Sequence, residues 1–272
     1  MDSRDMQVIG VCRFSYPALG GFQVDHDTTA AREAYLYAPA RMEERLRTFE
    51  ALTLPALRAQ SDPDFTFLVV IGESLPRAYR DRLEALLAGM PQAVVRAHPP
   101  GRHRDVMKRA VNSVREARGL PSLQFRMDDD DAVGRHFVER LRQAASDIRG
   151  TIRANRYCAI DFTQGFIARP GPEGIAAAPT RQALWTPALA MAVKPAASRC
   201  ILNFSHAKLD RMMPVLSLPQ EPMFVRGHND YNDSRQKPGV RRFRLDPLDA
   251  QGEARFRNLF AIDAERVRAL YA

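Results

Sequence analysis

Phe125-Arg126-Met127-Asp128-Asp129-Asp130-Asp131-Ala132-Val133 is the stretch that decides the reading of this chain. Residues 123–127 form an apolar run that ends in four consecutive carboxylates, so a strand delivers concentrated negative charge at its C-terminal end. Crowded carboxylates in a partly buried place repel one another and need a divalent cation, arginines or solvent to offset them. In open α/β sheets ligands bind beyond the C-terminal ends of strands, and a hard cation accepts carboxylate and phosphate oxygens together. If the chain stays extended, Asp128 and Asp130 point one way and Asp129 and Asp131 the other. The plainer alternative is a solvated acidic turn in which Asp131 caps a helix starting near Gly134.

Working outward, the same alternation of strand and helix repeats. Residues 7–14 form a short apolar run that presents Arg13 at its end, and 15–38, with glycines and a proline, reads as a long loop. From residue 40 the period turns helical, with Met42, Leu46, Phe49 and Leu52 on one face and Pro55 marking an end or a kink. FTFLVVI at 65–71 is nearly unbroken, the pattern of a central strand covered on both faces. A helix opens at Pro76, a short strand covers 92–96, and Val106, Ala110, Val114 and Ala117 line another helix that Gly119 stops. Phe137, Leu141, Ala144 and Ile148 continue the series after the aspartates. The order predicts an α/β fold with an open, mostly parallel central sheet and flanking helices.

Beyond 150 the expectations are two strands around the turn at 161–164, a proline-rich loop over 170–195 with a short helix near Trp185, strands at 201–206 and 223–226, and a helix at 264–271. We expect residues 1–150 to form an α/β half and 151–272 a smaller half, packed as one continuous domain.

Composition narrows the function classes. Of 272 residues, 45% are hydrophobic, and 40 Lys+Arg oppose 32 Asp+Glu for a net charge of +8. That is ordinary globular composition, not a disordered or fibrous one. Only four of the basic residues are lysines, so the positive charge is carried by guanidinium groups suited to phosphate and carboxylate. The apolar stretch 183–193 is too short and too interrupted to cross a bilayer, and the N-terminal sequence lacks a signal-peptide pattern. Cys12, Cys158 and Cys200 lie far apart and form no CxxC. The expected location is the cytoplasm, with peripheral contact at the inner membrane face allowed, and no nucleic-acid partner is expected.

Taken in order, these motifs resemble a GT-A-type glycosyltransferase and, more narrowly, bacterial proteins of a rhamnosyltransferase family. The likeness rests on the DxDD-type cluster at Asp128 to Asp131, on Leu54-Pro55-Ala56-Leu57 with Gln60 before the strand at 65–71, on Glu73 and Ser74 after that strand, and on Lys108, Arg109 and Asn112 in the helix before the cluster. Arg13-Phe14, Arg41 and Arg45 carry the narrower likeness. It covers 7–140 well and the remainder loosely. Two positions depart from it: Glu73 stands where an aspartate is usual, and Val111 where an arginine is usual.

The resemblance implies metal-dependent transfer of a sugar, rhamnose by the narrower likeness, from a nucleotide-diphosphate sugar to a hydroxyl of a saccharide or glycolipid acceptor, in bacterial surface-polysaccharide synthesis. It implies a nucleotide-sugar half in residues 1–150 and an acceptor and lid half in 151–272. Mn²⁺ or Mg²⁺ would sit on Asp130 and Asp128, with Asp128 on the ribose as an alternative and His228 as a C-terminal ligand of the metal or diphosphate. Arg13 and Arg109 would bind the diphosphate, and Glu73 and Asn112 the nucleotide. Asp131 would position the donor sugar or cap the next helix. Asp161 is the first candidate base for the acceptor hydroxyl, followed by Asp210 and Glu221. His206 is either a site residue or a satisfied strand-end histidine. Trp185 could stack on a sugar ring, and 226–244 could form a basic lid. Two other classes stand beside this one. A nucleotidyltransferase would carry a glycine-rich loop with a lysine after the first strand, where this chain has Arg13-Phe14-Ser15-Tyr16. A non-enzymatic anion- or nucleic-acid-binding module would be indifferent to the aspartates.

Overall fold

The structure is a computed structural model that describes residues 3–20, 26–117, 119–228 and 244–272. The first half is the expected series: β1 (Val8–Arg13), α1 (Thr29–Leu36), α2 (Pro39–Thr48), α3 (Leu54–Arg58), β2 (Thr66–Gly72), α4 (Arg77–Leu87), β3 (Ala93–His98), α5 (His103–Ser113) and β4 (Ser122–Met127). It continues through β5 (Ala132–Val133), α6 (Phe137–Asp147), α7 (Arg149–Ala154), β6 (Tyr157–Gly171), β7 (Gly174–Arg181), β8 (Leu189–Val193), β9 (Val215–Gly227), β10 (Asp246–Pro247), α8 (Ala250–Phe260) and α9 (Ala264–Tyr271).

One sheet of ten strands runs through the described residues. β3, β2, β1 and β4 are neighbours in that order and all parallel, which gives the open α/β half its C-terminal edge. β8 extends it antiparallel to β4, pairing Arg126 with Leu189. β6 then pairs β8 over 157–161 and β7 over 164–171, while β9 runs parallel along it with register shifts between Phe162 and Gly165. The end of β9 folds back onto β5, pairing Val225 with Ala132 and Phe224 with Val133.

Alternation along each strand sorts side chains onto two cores. Phe67, Val69 and Ile71 of β2 with Leu123, Phe125 and Met127 of β4 pack beneath Met42, Leu46, Phe49, Leu83 and Phe137. The opposite parity, Val11, Leu68, Val70, Ala159, Leu189 and Met191, packs beneath Val106, Met107, Ala110 and Val111 of α5. A third cluster seats Phe256, Phe260 and Val267 of the C-terminal helices on Phe166, Ala168 and Val225.

Several local expectations change. The loop expected at 15–38 contains α1, started by Thr28, whose side chain accepts the N–H of Ala31 at 3.0 Å. Pro55 neither ends nor breaks its helix. Having no N–H, it cannot continue the ladder, and the chain widens into a π-helical turn at Phe49–Thr53 and resumes as α3. The strands expected around a turn at 161–164 are one long strand, β6, irregular at that point. The proline-rich stretch 170–195 is mainly β7 and β8 and has no helix near Trp185. Pro179 lies past the short β10, where β7 has one neighbour and a missing N–H is tolerated. Residues 201–203 are a 3₁₀ turn and not a strand, and α8 is an element the sequence reading lacked. The expected strand at 223–226 lies within β9, and α9 covers the expected C-terminal helix.

Candidate functional site

The acidic turn follows β4 directly and is held on both sides. From below, Arg45 of α2 forms a two-pronged pair with Asp129, Nε donating to Oδ2 at 2.7 Å and Nη2 to Oδ1. Thr53, at the end of the π-helical turn, sets its hydroxyl 3.0 Å from the carbonyl of Asp129 and 2.7 Å from that of Asp131. From above, β9 arrives at Gly227. A Cβ there would stand 2.1 Å from the carbonyl oxygen of Asp130, so only glycine permits this approach. The Gly227 N–H donates to Asp131 Oδ1 at 3.2 Å, and the Asp128 N–H to Asp131 Oδ2 at 3.1 Å.

The turn therefore does not keep strand alternation. Asp129 alone goes down to Arg45, and Asp128, Asp130 and Asp131 bring one carboxylate oxygen each to within 4.8 Å of one another. Asp130 and Asp131 are buried and Asp128 is half-buried. Burial is the largest influence on all three. For Asp130 the neighbouring Asp131 adds to it, and the carboxyl is pushed well above the usual range. Asp131 is pushed up to about 7 by burial against the opposing pull of Arg226. Asp128 goes the other way, because Arg226, Arg13, Arg126 and Arg45 together outweigh its burial and lower it. The centre thus holds three hard oxygen donors with cations arrayed around them.

Arg13 at the end of β1, expected on the diphosphate, is half-buried and acts on Asp128. Arg126 is a site residue to which the sequence reading gave no role, and Arg226 was expected only as the start of a basic lid. Arg126 sits two positions before Asp128, the period-2 spacing that puts both on one face of β4, and that spacing was a usable signal. Arg226 precedes Gly227, lies 5.0 Å from the Trp185 ring, and donates to the Thr186 carbonyl at 3.1 Å. Its guanidinium is held more firmly charged than usual, since Asp131, Asp128 and Asp130 outweigh its burial. His103, at the start of α5, has a buried Nε2 with no hydrogen-bond partner. Burial, followed by Arg13, Arg126 and Arg104, lowers it to about 3.

The remaining expected residues divide. Glu73 and Arg109 are exposed and act together on Tyr16 and His98, forming a second group beyond the ends of β2 and β3. Asn112 is not brought to the site. Its amide donates to the Ser198 carbonyl at 2.8 Å and accepts from Arg115, at the opposite end of α5 from His103. His228 does not join the converging carboxylates, the one such group among the described residues. Its backbone N–H bonds Ala168 O at 2.8 Å. Asp161 is fully buried in the sheet, accepts the Leu184 N–H at 2.7 Å, and leaves Oδ1 without a partner. Burial lifts it to about 6. It therefore has no path to a substrate hydroxyl. Glu221 pairs with Arg140 at 2.8 Å, and Asp210 is exposed on a 3₁₀ turn. Arg41 is buried, donating to Ser15 Oγ and the Leu36 carbonyl, both at 3.1 Å. Of the expected lid at 226–244, residues 229–243 lie outside the described residues.

A family described as Putative rhamnosyl transferase matches residues 7–241. None of the curated proteins compared with the chain matches it. Among solved structures, Staphylococcus aureus TarS 1–349 in complex with UDP-GlcNAc is similar at 12% identity and a TM-score of 0.43, over 84% of this chain and 60% of that one. A Desulfovibrio desulfuricans G20 protein described as a putative nucleotide-diphospho-sugar transferase is similar at 11% identity and a TM-score of 0.36, over 83% of each chain. The chain spans about three-fifths of the TarS fragment it matches. No helix among the described residues is long and apolar enough to cross a membrane.

Proposed function

The chain belongs to this rhamnosyl transferase family, and from that premise we propose that it transfers a sugar from a nucleotide-diphosphate sugar to an acceptor hydroxyl, with rhamnose as the sugar and a saccharide or glycolipid as the acceptor. The observation that carries the reading is the mixed-sign centre at the C-terminal ends of β1 and β4, with three convergent carboxylates and Arg13, Arg126 and Arg226 acting on Asp128. A diphosphate needs cations on its oxygens, whereas carboxylates repel it, so both signs in one place suit a diphosphate bound through a divalent ion.

The residues fit such an ion. All three donors are hard oxygens, and Asp130 and Asp131 hold their protons unusually high, the state of a cluster whose negative charge is not fully offset. Asp128, Asp130 and Asp131 would hold Mn²⁺ or Mg²⁺, which when bound neutralises charge gathering on the leaving diphosphate. The chain's own groups do the rest. Arg13, Arg126 and Arg226 grip phosphate oxygens with planar forks of donors. Glu73, Arg109 and His98 take the nucleoside. Asp131, with each carboxylate oxygen on a backbone N–H, keeps the turn in shape. The acceptor oxygen forms its bond to the anomeric carbon as the bond to the diphosphate oxygen breaks, and that pair leaves on the nucleoside diphosphate. The acceptor proton needs a separate base.

Thermal unfolding with UDP, GDP, dTDP or CDP, with and without Mn²⁺, tests this. A ligand that binds only the folded chain at 100 times its Kd adds about 2.7 kcal/mol of stability. One nucleotide should raise the melting temperature only with metal present, and Asp130→Asn should lose that response. A metal-linked shift that survives Asp130→Asn, or no shift with any nucleotide, overturns the reading.

A further inference from the structure

We propose that His206 is the base that takes the proton from the acceptor hydroxyl, with Asp161 as its positioning residue acting through the Leu184 peptide. The inference rests on the transferase reading and adds the proton acceptor which that reading lacks.

His206 opens the 3₁₀ turn His206–Arg211 and is half-buried. Its Nδ1 lies 2.6 Å from the carbonyl oxygen of Leu184. A carbonyl only accepts, so Nδ1 carries the hydrogen and the neutral ring keeps its lone pair on Nε2. The other side of the same peptide is anchored as well, since the Leu184 N–H donates to Asp161 Oδ2 at 2.7 Å. Leu184 has φ +55, so both bonds are made from a left-handed backbone that L-residues adopt reluctantly. One residue further on, Trp185 and Thr186 are held by Arg226. The segment that orients His206 is thus tied to the buried strand β6 on one side and to the charged centre on the other.

The surroundings suit a base. Burial is the largest influence and lowers the ring's proton affinity. The Leu184 bond opposes this, Arg126 from β4 and Arg226 from β9 lower it further, and Asp128 raises it. Lys208, Asp210 and Arg211 of its own turn are exposed. The net result is a ring that is neutral at pH 7, within electrostatic reach of the groups assigned to the diphosphate. His206 is not among the converging metal-type donors. In the transfer, the hydroxyl O–H bond breaks as the oxygen joins the anomeric carbon, the proton goes to Nε2, and the electron pair of the breaking glycosyl–phosphate bond departs on the nucleoside diphosphate. Asp161 acts only by holding Leu184. Asparagine, with its own carbonyl oxygen, can accept the same N–H, whereas alanine cannot.

The probe is nucleoside diphosphate release from the rhamnose conjugates of UDP, GDP, dTDP and CDP with Mn²⁺, water serving as the acceptor hydroxyl, alongside nitrogen NMR of ¹⁵N-histidine-labelled protein. His206→Gln should lower kcat by about 10²- to 10⁴-fold and remove the acidic limb of the pH–rate profile measured with Mn²⁺ saturating at every pH, with metal-linked nucleotide binding kept. Asp161→Asn should stay within about threefold and keep that limb, and Asp161→Ala should lose about tenfold or more as the ring loses its orientation. In the wild type at pH 7, the resonances lost in His206→Gln should belong to a ring protonated at Nδ1 and bare at Nε2. An Nε2–H tautomer, or nucleoside diphosphate release in His206→Gln equal to wild type, overturns the proposal alone. A wild-type protein that shows no metal-linked shift with any of the four nucleotides and releases none of them overturns the transferase reading and takes the proposal with it.

Discussion

Asp129 and Asp130 are neighbours in the chain and occupy opposite electrostatic regions. Asp129 lies in the floor of the acidic turn, entirely buried, with both oxygens on Arg45. Its charge is matched one-for-one, and nothing is left to bind. Asp130 lies in the mouth, beside Asp128 and Asp131, where the compensating arginines come from three strands and from α2. A locally closed pair makes a rigid support. Charge offset only collectively leaves carboxylates that exchange protons, cations and anionic ligands. Four identical residues in sequence thus divide into one structural group and three that stay available for chemistry.

The largest expected effect comes from breaking the floor. Arg45→Met leaves Asp129 buried without its partner, which typically costs about 3–5 kcal/mol. At about 2–4 °C per kcal/mol for a chain of this size, the melting temperature should fall by roughly 10 °C. Arg45→Met with Asp129→Leu removes both charges and should recover most of that loss in thermal unfolding. Arg226→Met at the mouth should behave differently. Asp128 keeps Arg13, Arg126 and Arg45, so the melting temperature should drop less than for Arg45→Met, while metal-linked nucleotide binding is lost. Equal thermal penalties at the two sites would erase the distinction between floor and mouth.

A second test uses protons. Asp131 sits at about 7 in the folded chain, against about 4 for a free aspartate. The folded state holds its proton to higher pH than the unfolded state does. The associated stability is therefore full below about pH 4 and is lost as pH rises toward 7. Asp130 extends the same trend, and Asp161, at about 6, adds to it. Asp128, lowered, opposes it, contributing stability above its unfolded value that disappears on acidification. Melting temperature should therefore decline between pH 5 and 7 in metal-free buffer, and Mn²⁺ should flatten the decline by replacing the protons. For each proton displaced, Mn²⁺ affinity should rise about tenfold per pH unit below 7, as titration calorimetry in buffers of different ionisation heat would read. Asp129 in the floor, raised by burial against the pull of Arg45 and Arg41, adds to the decline in melting temperature but has no metal to displace its proton.

The contrast also explains how much was legible beforehand. β2 is an unbroken apolar run and β4 an apolar run ending in charge, so the sheet and the place of the acidic turn follow from local pattern. The destination of Asp129 does not, because its partner lies 84 residues away in the chain. Asn112 was assigned to the site on its order in the sequence, but α5 spans about 1.5 Å per residue. Nine residues therefore separate it from His103 by roughly 14 Å and carry it to the other end of the helix. Asp161 and Thr163 sit among apolar residues of β6 with polar atoms unpartnered. Polar residues in a buried strand read as a turn. Arg126 was within reach of the alternation rule; Arg226 was not, since β9 meets the turn only through pairing with β5.

The smallest effect sharpens the comparison most narrowly. Thr53 has one hydroxyl hydrogen and two carbonyl acceptors, those of Asp129 in the floor and Asp131 in the mouth. Thr53→Val keeps the shape and removes that donor, and the loss of one buried hydrogen bond costs about 1 kcal/mol, more if a carbonyl is left unsatisfied. Thermal unfolding should show a drop of a few degrees. The informative reading is metal binding. The backbone of Asp131 would lose a tether while its carboxylate keeps the N–H groups of Asp128 and Gly227. Affinity for Mn²⁺ should then change by no more than about threefold, or about 0.7 kcal/mol. A tenfold or greater loss would mean that the floor does more than support, and that the geometry of the mouth is set through Thr53.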